Sequence, residues 1–99
     1  MGQRYDPKSD YRYDFFKPIY SGKQHYTVDY YCKEQEDGKL HYLAELQLFR
    51  DSAKEPLMIE EKAKGKLEIV SETNISADLR RQIIDLIKEH SKYYGNGNK

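Results

Sequence analysis

The sequence predicts an α+β fold. An antiparallel sheet of about four strands in two hairpins, with the N-terminal arm as candidate for a fifth, packs on one C-terminal helix. Three observations lead there. Residues 25–33 and 40–49 alternate apolar and polar side chains on either side of a glycine-containing turn. Residues 57–71 repeat that plan, and residues 76–94 carry an apolar stripe at helical spacing.

In the first hairpin, Tyr26, Val28, Tyr30 and Cys32 share one face, as do Tyr42, Ala44, Leu46 and Leu48. A two-residue turn at Asp37-Gly38 would set Val28 against Gln47 and mismatch these faces. A three-residue loop, Glu36-Asp37-Gly38 with Gly38 left-handed, sets Val28 against Leu46 and Tyr30 against Ala44. A slip of one residue would turn the strand inside out, so the three-residue loop is chosen. The same arithmetic around Ala63-Lys64-Gly65 pairs Ile59 with Ile69 and Leu57 with Ser71. A rival reading makes 56–64 a short helix opened by Pro56 and closed by Gly65.

Residues 76–94 read as a helix. Ser76 is the N-cap, Asp78 sits in the favourable first turn, and Leu79, Ile83, Leu86, Ile87 and His90 form the stripe. Arg81 and Asp85 are spaced to pair, and Gly95 is the stop. Tyr26, Val28, Tyr30, Tyr42, Leu46, Leu48, Leu57, Ile59, Leu67 and Ile69 are the sheet residues expected beneath it. The order of the two hairpins does not follow from the sequence.

Residues 1–20 form an aromatic arm expected to pack on the domain of residues 21–95, with 96–99 as a loose tail. Tyr11, Tyr13 and Phe15 alternate as in a short strand; alternatively, Ser9 caps one helical turn.

At 99 residues the chain is one domain with a modest core. Its formal net charge of zero argues against strong nonspecific nucleic-acid binding, which depends on surplus Lys and Arg. The single cysteine, Cys32, forms no internal disulfide and points to a reducing, cytoplasmic setting. No apolar run approaches the roughly 18 residues of a membrane span. The N-terminus has no signal-peptide core, and Asp6 stands where a myristoylation site wants Ser or Thr. No metal or cofactor motif is present, and Ser21-Gly22-Lys23 lacks the glycine-rich lead-in of a phosphate loop.

The second face of the first hairpin is the candidate site. Its pairs are His25–Phe49, Thr27–Gln47, Asp29–Glu45, Tyr31–Leu43 and Lys33–His41. Tyr31, Leu43 and Phe49 place large apolar area opposite the helix-covered side, to be covered by the arm or by a partner. His25, Asp29 and Glu45 complete the binding set. Asp29 and Glu45 are like charges on facing strands; such pairs serve acid–base work, hold a divalent cation or accept an arginine such as Arg4 or Arg12. His25 and His41 fall at opposite ends of the face, too far apart to share a metal. Cys32 faces the core and is expected to be inert.

The leading expectation is a small non-catalytic module that binds a protein partner or itself through this face and an exposed strand edge. A phage or mobile-element inhibitor of a host factor suits its size and charge. One alternative is single-strand nucleic-acid binding through exposed aromatics and Lys54, Lys62, Lys64 and Lys66. Another is a small enzyme using Asp29 and Glu45.

Overall fold

The computed structural model describes residues 10–51, 53–63 and 65–94. Five strands and one helix follow in chain order: β1 (Arg12–Ser21), β2 (Gln24–Glu34), β3 (Leu40–Leu48), β4 (Lys54–Ala63), β5 (Lys66–Ile69) and α1 (Ala77–His90). The strands form one antiparallel sheet in the order β1-β2-β3-β4-β5, each paired with its chain neighbours. The α+β expectation holds, and the candidate fifth strand is real.

The central register is the one that apolar matching requires. Val28 faces Leu46, Tyr30 faces Ala44 and Cys32 faces Tyr42. Gly38 sits at φ 86°, and the loop closes through Gln35 N–H to Lys39 O at 2.8 Å and Gly38 N–H to Gln35 O at 2.9 Å. Ile59 faces Ile69 as expected. The β4–β5 connection is tighter than the expected three-residue loop. Ala63 pairs with Lys66, and an irregularity between Glu61 and Ala63 restores the register. Residues 56–63 are strand, which removes the helical alternative. Ser71 does not extend β5; its hydroxyl takes the Met58 N–H at 3.0 Å.

The stretch read as an arm is, from residue 12 onward, an edge strand. Gly22, at φ 61°, and Lys23 form the two-residue turn with positive φ at its first position only, which suits a right-twisted hairpin. Tyr13 and Phe15 do not share a side. The register shifts between them, so Asp14 is the extra residue of a bulge; Tyr13 pairs with Tyr31 and Phe15 with Tyr30. The expected packing of residues 1–9, Arg4 included, and the tail at 96–99 lie outside the described residues.

Helix α1 lies on one face of the sheet. Leu79, Ile83 and Ile87 meet Ile19, Val28, Tyr30, Tyr42, Leu57 and Ile59, each almost fully buried. The Tyr30 hydroxyl donates to Ile83 O at 3.0 Å, so a phenol within the core keeps a partner. Leu48, expected in this core, is 36% exposed at the end of β3.

Ser76 caps α1 as read from the sequence, accepting from Leu79 N–H at 3.1 Å. The far end is earlier than expected. The helix stops at His90 rather than running to Tyr94, because Asp14 captures the exit. The Asp14 carboxylate accepts from the Ser91 hydroxyl at 2.5 Å and from Lys92 N–H at 3.0 Å while only 3% exposed. At the other end the Ser21 hydroxyl reaches Asp78 at 3.1 Å, and Gln82 donates to Tyr20 O at 2.9 Å. Thus β1 anchors both ends of α1. Arg81 pairs with Asp78 at 2.7 Å, not with Asp85. His90 is exposed and only brushes the Phe15 ring, at 5.9 Å between centroids.

Candidate functional site

Strand alternation places the other half of the side chains on the face away from α1. On β2 and β3 these are His25, Thr27, Asp29, Tyr31 and Lys33 beside Phe49, Gln47, Glu45, Leu43 and His41. Strand β1 adds Tyr13, Phe16, Pro18 and Tyr20; β4 adds Lys54, Pro56, Met58 and Glu60. Tyr13, Phe16, Tyr20, Phe49 and Val70 stand exposed on this outer face, from 41% to 64%; among the described residues only Leu48 is a comparably exposed large apolar side chain on the helix side.

The expected binding residues divide into two groups. His25 and Phe49 come together at one end of the face, where three rings stand in a row. Tyr20 and His25 stack at 4.4 Å between centroids with planes 25° apart; His25 and Phe49 stack at 4.6 Å and 17°. These spacings are close to the roughly 4.8 Å between neighbouring strands: β1 and β2 contribute one ring each, and Phe49 follows directly on β3. The rings turn faces to one another; Tyr20 and Phe49 are exposed, and the His25 Nε2 between them is buried. The Arg50 guanidinium extends the row, its central carbon 5.5 Å from the Phe49 centroid.

Asp29, Glu45, Tyr31 and Leu43 lie farther along the face, in the pairs expected. Leu43 is only 2% exposed, so it supports the face from beneath and presents no contact area. Tyr31 packs edge-on against Tyr13 at 5.3 Å. Asp29 and Glu45 do face each other, but each carboxylate has company. The Tyr13 hydroxyl donates to Asp29 at 2.9 Å, and Lys54 Nζ lies 4.0 Å from Glu45. Partial burial, then Asp29 itself, raises the Tyr13 phenol to about 12, so it remains a neutral donor. Arg12 stands opposite Cys32, away from the pair.

Among the lysines of the nucleic-acid alternative, Lys62 and Lys66 flank the β4–β5 turn and Lys54 stands apart. Lys54 opens β4 and Lys62 lies near its other end, eight residues or roughly 26 Å along the strand. Lys62 is held by Glu60 at 3.1 Å, Lys66 opens β5, and Lys64 lies outside the described residues. Of the outer-face rings, His25 offers no platform, because Tyr20 and Phe49 stack on either side of it.

A hydrogen-bonded chain that the sequence does not reveal crosses the opposite end of the face. The Tyr11 hydroxyl lies 2.8 Å from His41 Nδ1, His41 Nε2 lies 3.1 Å from Glu60, and Lys62 holds the other Glu60 oxygen. The Lys62 bond leads the effects that lower the Glu60 carboxyl. The chain borders an open groove of about 670 Å³ lined by residues of the 35–41 turn and 60–62. Its acids and bases are paired within the groove, and it ties the entry to β1 across β3 and β4.

On the helix side Cys32 is buried, as expected, and that burial pushes its thiol up to about 12. Among the described residues no group of three or more His, Cys, Asp or Glu is placed to hold a metal ion. No helix among them is long and apolar enough to cross a membrane. Comparisons with protein-family models, with curated proteins and with solved structures find no match for this chain.

Proposed function

We propose that this chain is a small, non-catalytic interaction module that binds a protein partner, or a second copy of itself, through the open end of its outer sheet face. The observation that carries the reading is the concentration of exposed aromatic area there: Phe16, Tyr20 and Phe49 are 49%, 64% and 50% exposed on one side of one sheet. Aromatic side chains clustered on a monomer surface are the composition of protein contact sites.

The edges of the sheet argue for a contact through the face rather than by strand addition. The two-residue turn makes Ser21–Gln24 a hydrogen-bonded pair, so Tyr20, Pro18 and Phe16 direct their backbone groups away from β2. Pro18 has no N–H to offer there, and Gln82 already occupies Tyr20 O. The same holds where β4 runs beyond β5. Val70 N–H binds Met58 O at 2.8 Å, which sets the parity and puts the missing N–H of Pro56 on the uncovered side. Ser71 takes the Met58 N–H. Both of these stretches are blunted against another strand.

An enzymatic reading through Asp29 and Glu45 has less support, because the Tyr13 phenol already donates to Asp29. We place the module in the cytoplasm, where its lone buried thiol suits a reducing medium, and a small inhibitor of a host factor fits its size. The test compares wild type with Phe49→Asp, on the outer face, and Lys88→Asp, on the solvent side of α1. Sedimentation gives the self-association state, and affinity capture from the source cells gives the partner. Loss of association with Phe49→Asp alone supports the reading. A strict monomer whose captured proteins are the same for all three chains overturns it.

A further inference from the structure

We propose that the row Tyr20–His25–Phe49–Arg50 reads the partner, and that it takes an acidic protein segment. Arg50 grips a carboxylate, while Phe16, Tyr20 and Phe49 receive the apolar side chain beside it. This rests on the outer-face reading above and adds the chemistry of the occupant.

Two departures from stability meet in this one row. Leu48 O accepts from Asp51 N–H at 2.9 Å, making a tight turn whose third residue is Arg50 at φ 73°. That is a glycine position. The other three positive-φ residues among those described, Gly22, Gly38 and Gly65, are glycines. Arg50 bears a Cβ there and a backbone strain that glycine would avoid. Two residues across the stack, His25 Nε2 is buried with no hydrogen-bond partner. A surface row that carries both a strained backbone and an unpaired polar atom is not arranged for stability, and such outliers gather at binding sites.

The chemistry of the row selects the occupant. Aromatic rings are electronegative on their faces and electropositive at their edges. Here Tyr20, His25 and Phe49 stack face to face, and the two outer rings, Tyr20 and Phe49, are the ones exposed to solvent. The guanidinium adds a full positive charge with a donor fork suited to carboxylate. Asp51, the nearest acid in sequence, turns one oxygen to Ala53 N–H at 3.2 Å. The Arg50 guanidinium, bordered by the apolar area of Phe49 and Tyr20, is thus complementary to a carboxylate with an apolar residue beside it. A nucleobase finds no open ring face between neighbours stacked at 4.4 and 4.6 Å.

The experiment titrates ¹⁵N-labelled full chain with three peptides of one length: Glu and Asp flanking Phe and Leu, the Gln/Asn counterpart, and the Lys counterpart. Oligothymidylate is the fourth titrant. The acidic peptide is expected to shift the amide signals of Tyr20, His25, Phe49 and Arg50, at least tenfold more tightly than the amide counterpart. Arg50→Gly is expected to lose that preference while raising the melting temperature by roughly 4–8 °C, since it relieves the turn. Equal binding of acidic and amide peptides, or unchanged preference in Arg50→Gly, overturns the inference and leaves the outer-face reading standing. A melting temperature that does not rise removes the strain argument and overturns it as well. No response to the acidic peptide at millimolar concentration also overturns it. Shifts produced by oligothymidylate but by no peptide overturn this inference and the outer-face reading together.

Discussion

The two faces of this sheet are made from the same strands and follow different rules. Beneath α1, Tyr30, Tyr42, Leu57, Ile59, Ile83 and Ile87 are all at 0% exposure, and the phenols of Tyr30 and Tyr42 are hydrogen-bonded to Ile83 O and to Ser91. On the outer face, rings stand half exposed, His25 keeps an unpaired nitrogen and Arg50 occupies a glycine conformation. The difference teaches that stability is concentrated on one side. The other side is free to hold features that cost stability and are useful only in contact with something else.

Truncation on each side is the most direct way to break that comparison. Ile83→Ala, at the centre of the helix contact, is expected to cost about 3–4 kcal/mol, measured by urea unfolding. A cost below about 1 kcal/mol there would mean that α1 is not what holds the sheet. Next comes Asp14→Ala, expected at roughly 2–3 kcal/mol, because it strands the Ser91 hydroxyl and Lys92 N–H that the buried carboxylate serves. Its amide-exchange signature should be fraying confined to the C-terminal turn of α1.

A pH series sharpens the same contrast without mutation. Burial raises the Cys32 thiol from 9.0 to about 12, and it raises the Tyr30 and Tyr42 phenols further above their ordinary 10.0. Above pH 9 the unfolded chain releases these protons while the folded chain keeps them. The contribution is whole below pH 9 and is lost as pH rises toward 12. Urea midpoints should fall over that window, and Cys32→Ala should make the fall shallower at its lower end. The smallest effect belongs to the outer face. Phe49→Asp should cost about 1 kcal/mol or less in stability, the worth of one exposed ring stack, while abolishing association.

How much of this was legible in the sequence follows from how local each determinant is. The β2–β3 register was readable because Gly38 and the apolar pairs Val28–Leu46 and Tyr30–Ala44 agree on one alignment. Ser76 marked its helix end for the same local reason. The other end was not readable: the helical pattern continues through His90, and the residue that ends it, Asp14, is 77 positions away from Ser91. Strand β1 was legible only in part: Tyr13 and Phe15 alternate in the sequence as if on one side, and the bulge at Asp14 puts them on opposite faces. The Gly22-Lys23 pair was the signal that could have exposed it as a hairpin arm.

The site was half legible. Its facing pairs followed from the register, so His25 with Phe49 and Asp29 with Glu45 were placed correctly. The ring row needed Tyr20 from a strand that the sequence offered only as a candidate, and it needed Arg50 from a turn with no glycine to announce it. Exposure is a property of the assembled surface, and for that reason Leu43 and Leu48 exchanged expected roles: the first is buried on the open face, the second exposed at the end of the covered one.

The uninterrupted strand order has a consequence for synthesis of the chain. Every ladder closes between neighbours in sequence, so the hairpins can assemble one after another as the polypeptide emerges. The ties from Tyr30 to Ile83 and from Asp14 to Ser91 span 53 and 77 residues and wait for α1 and the residue after it. Until α1 is made, the nascent sheet is greasy on both sides, and a ribosome stalled after β5 would release a ribbon prone to clump.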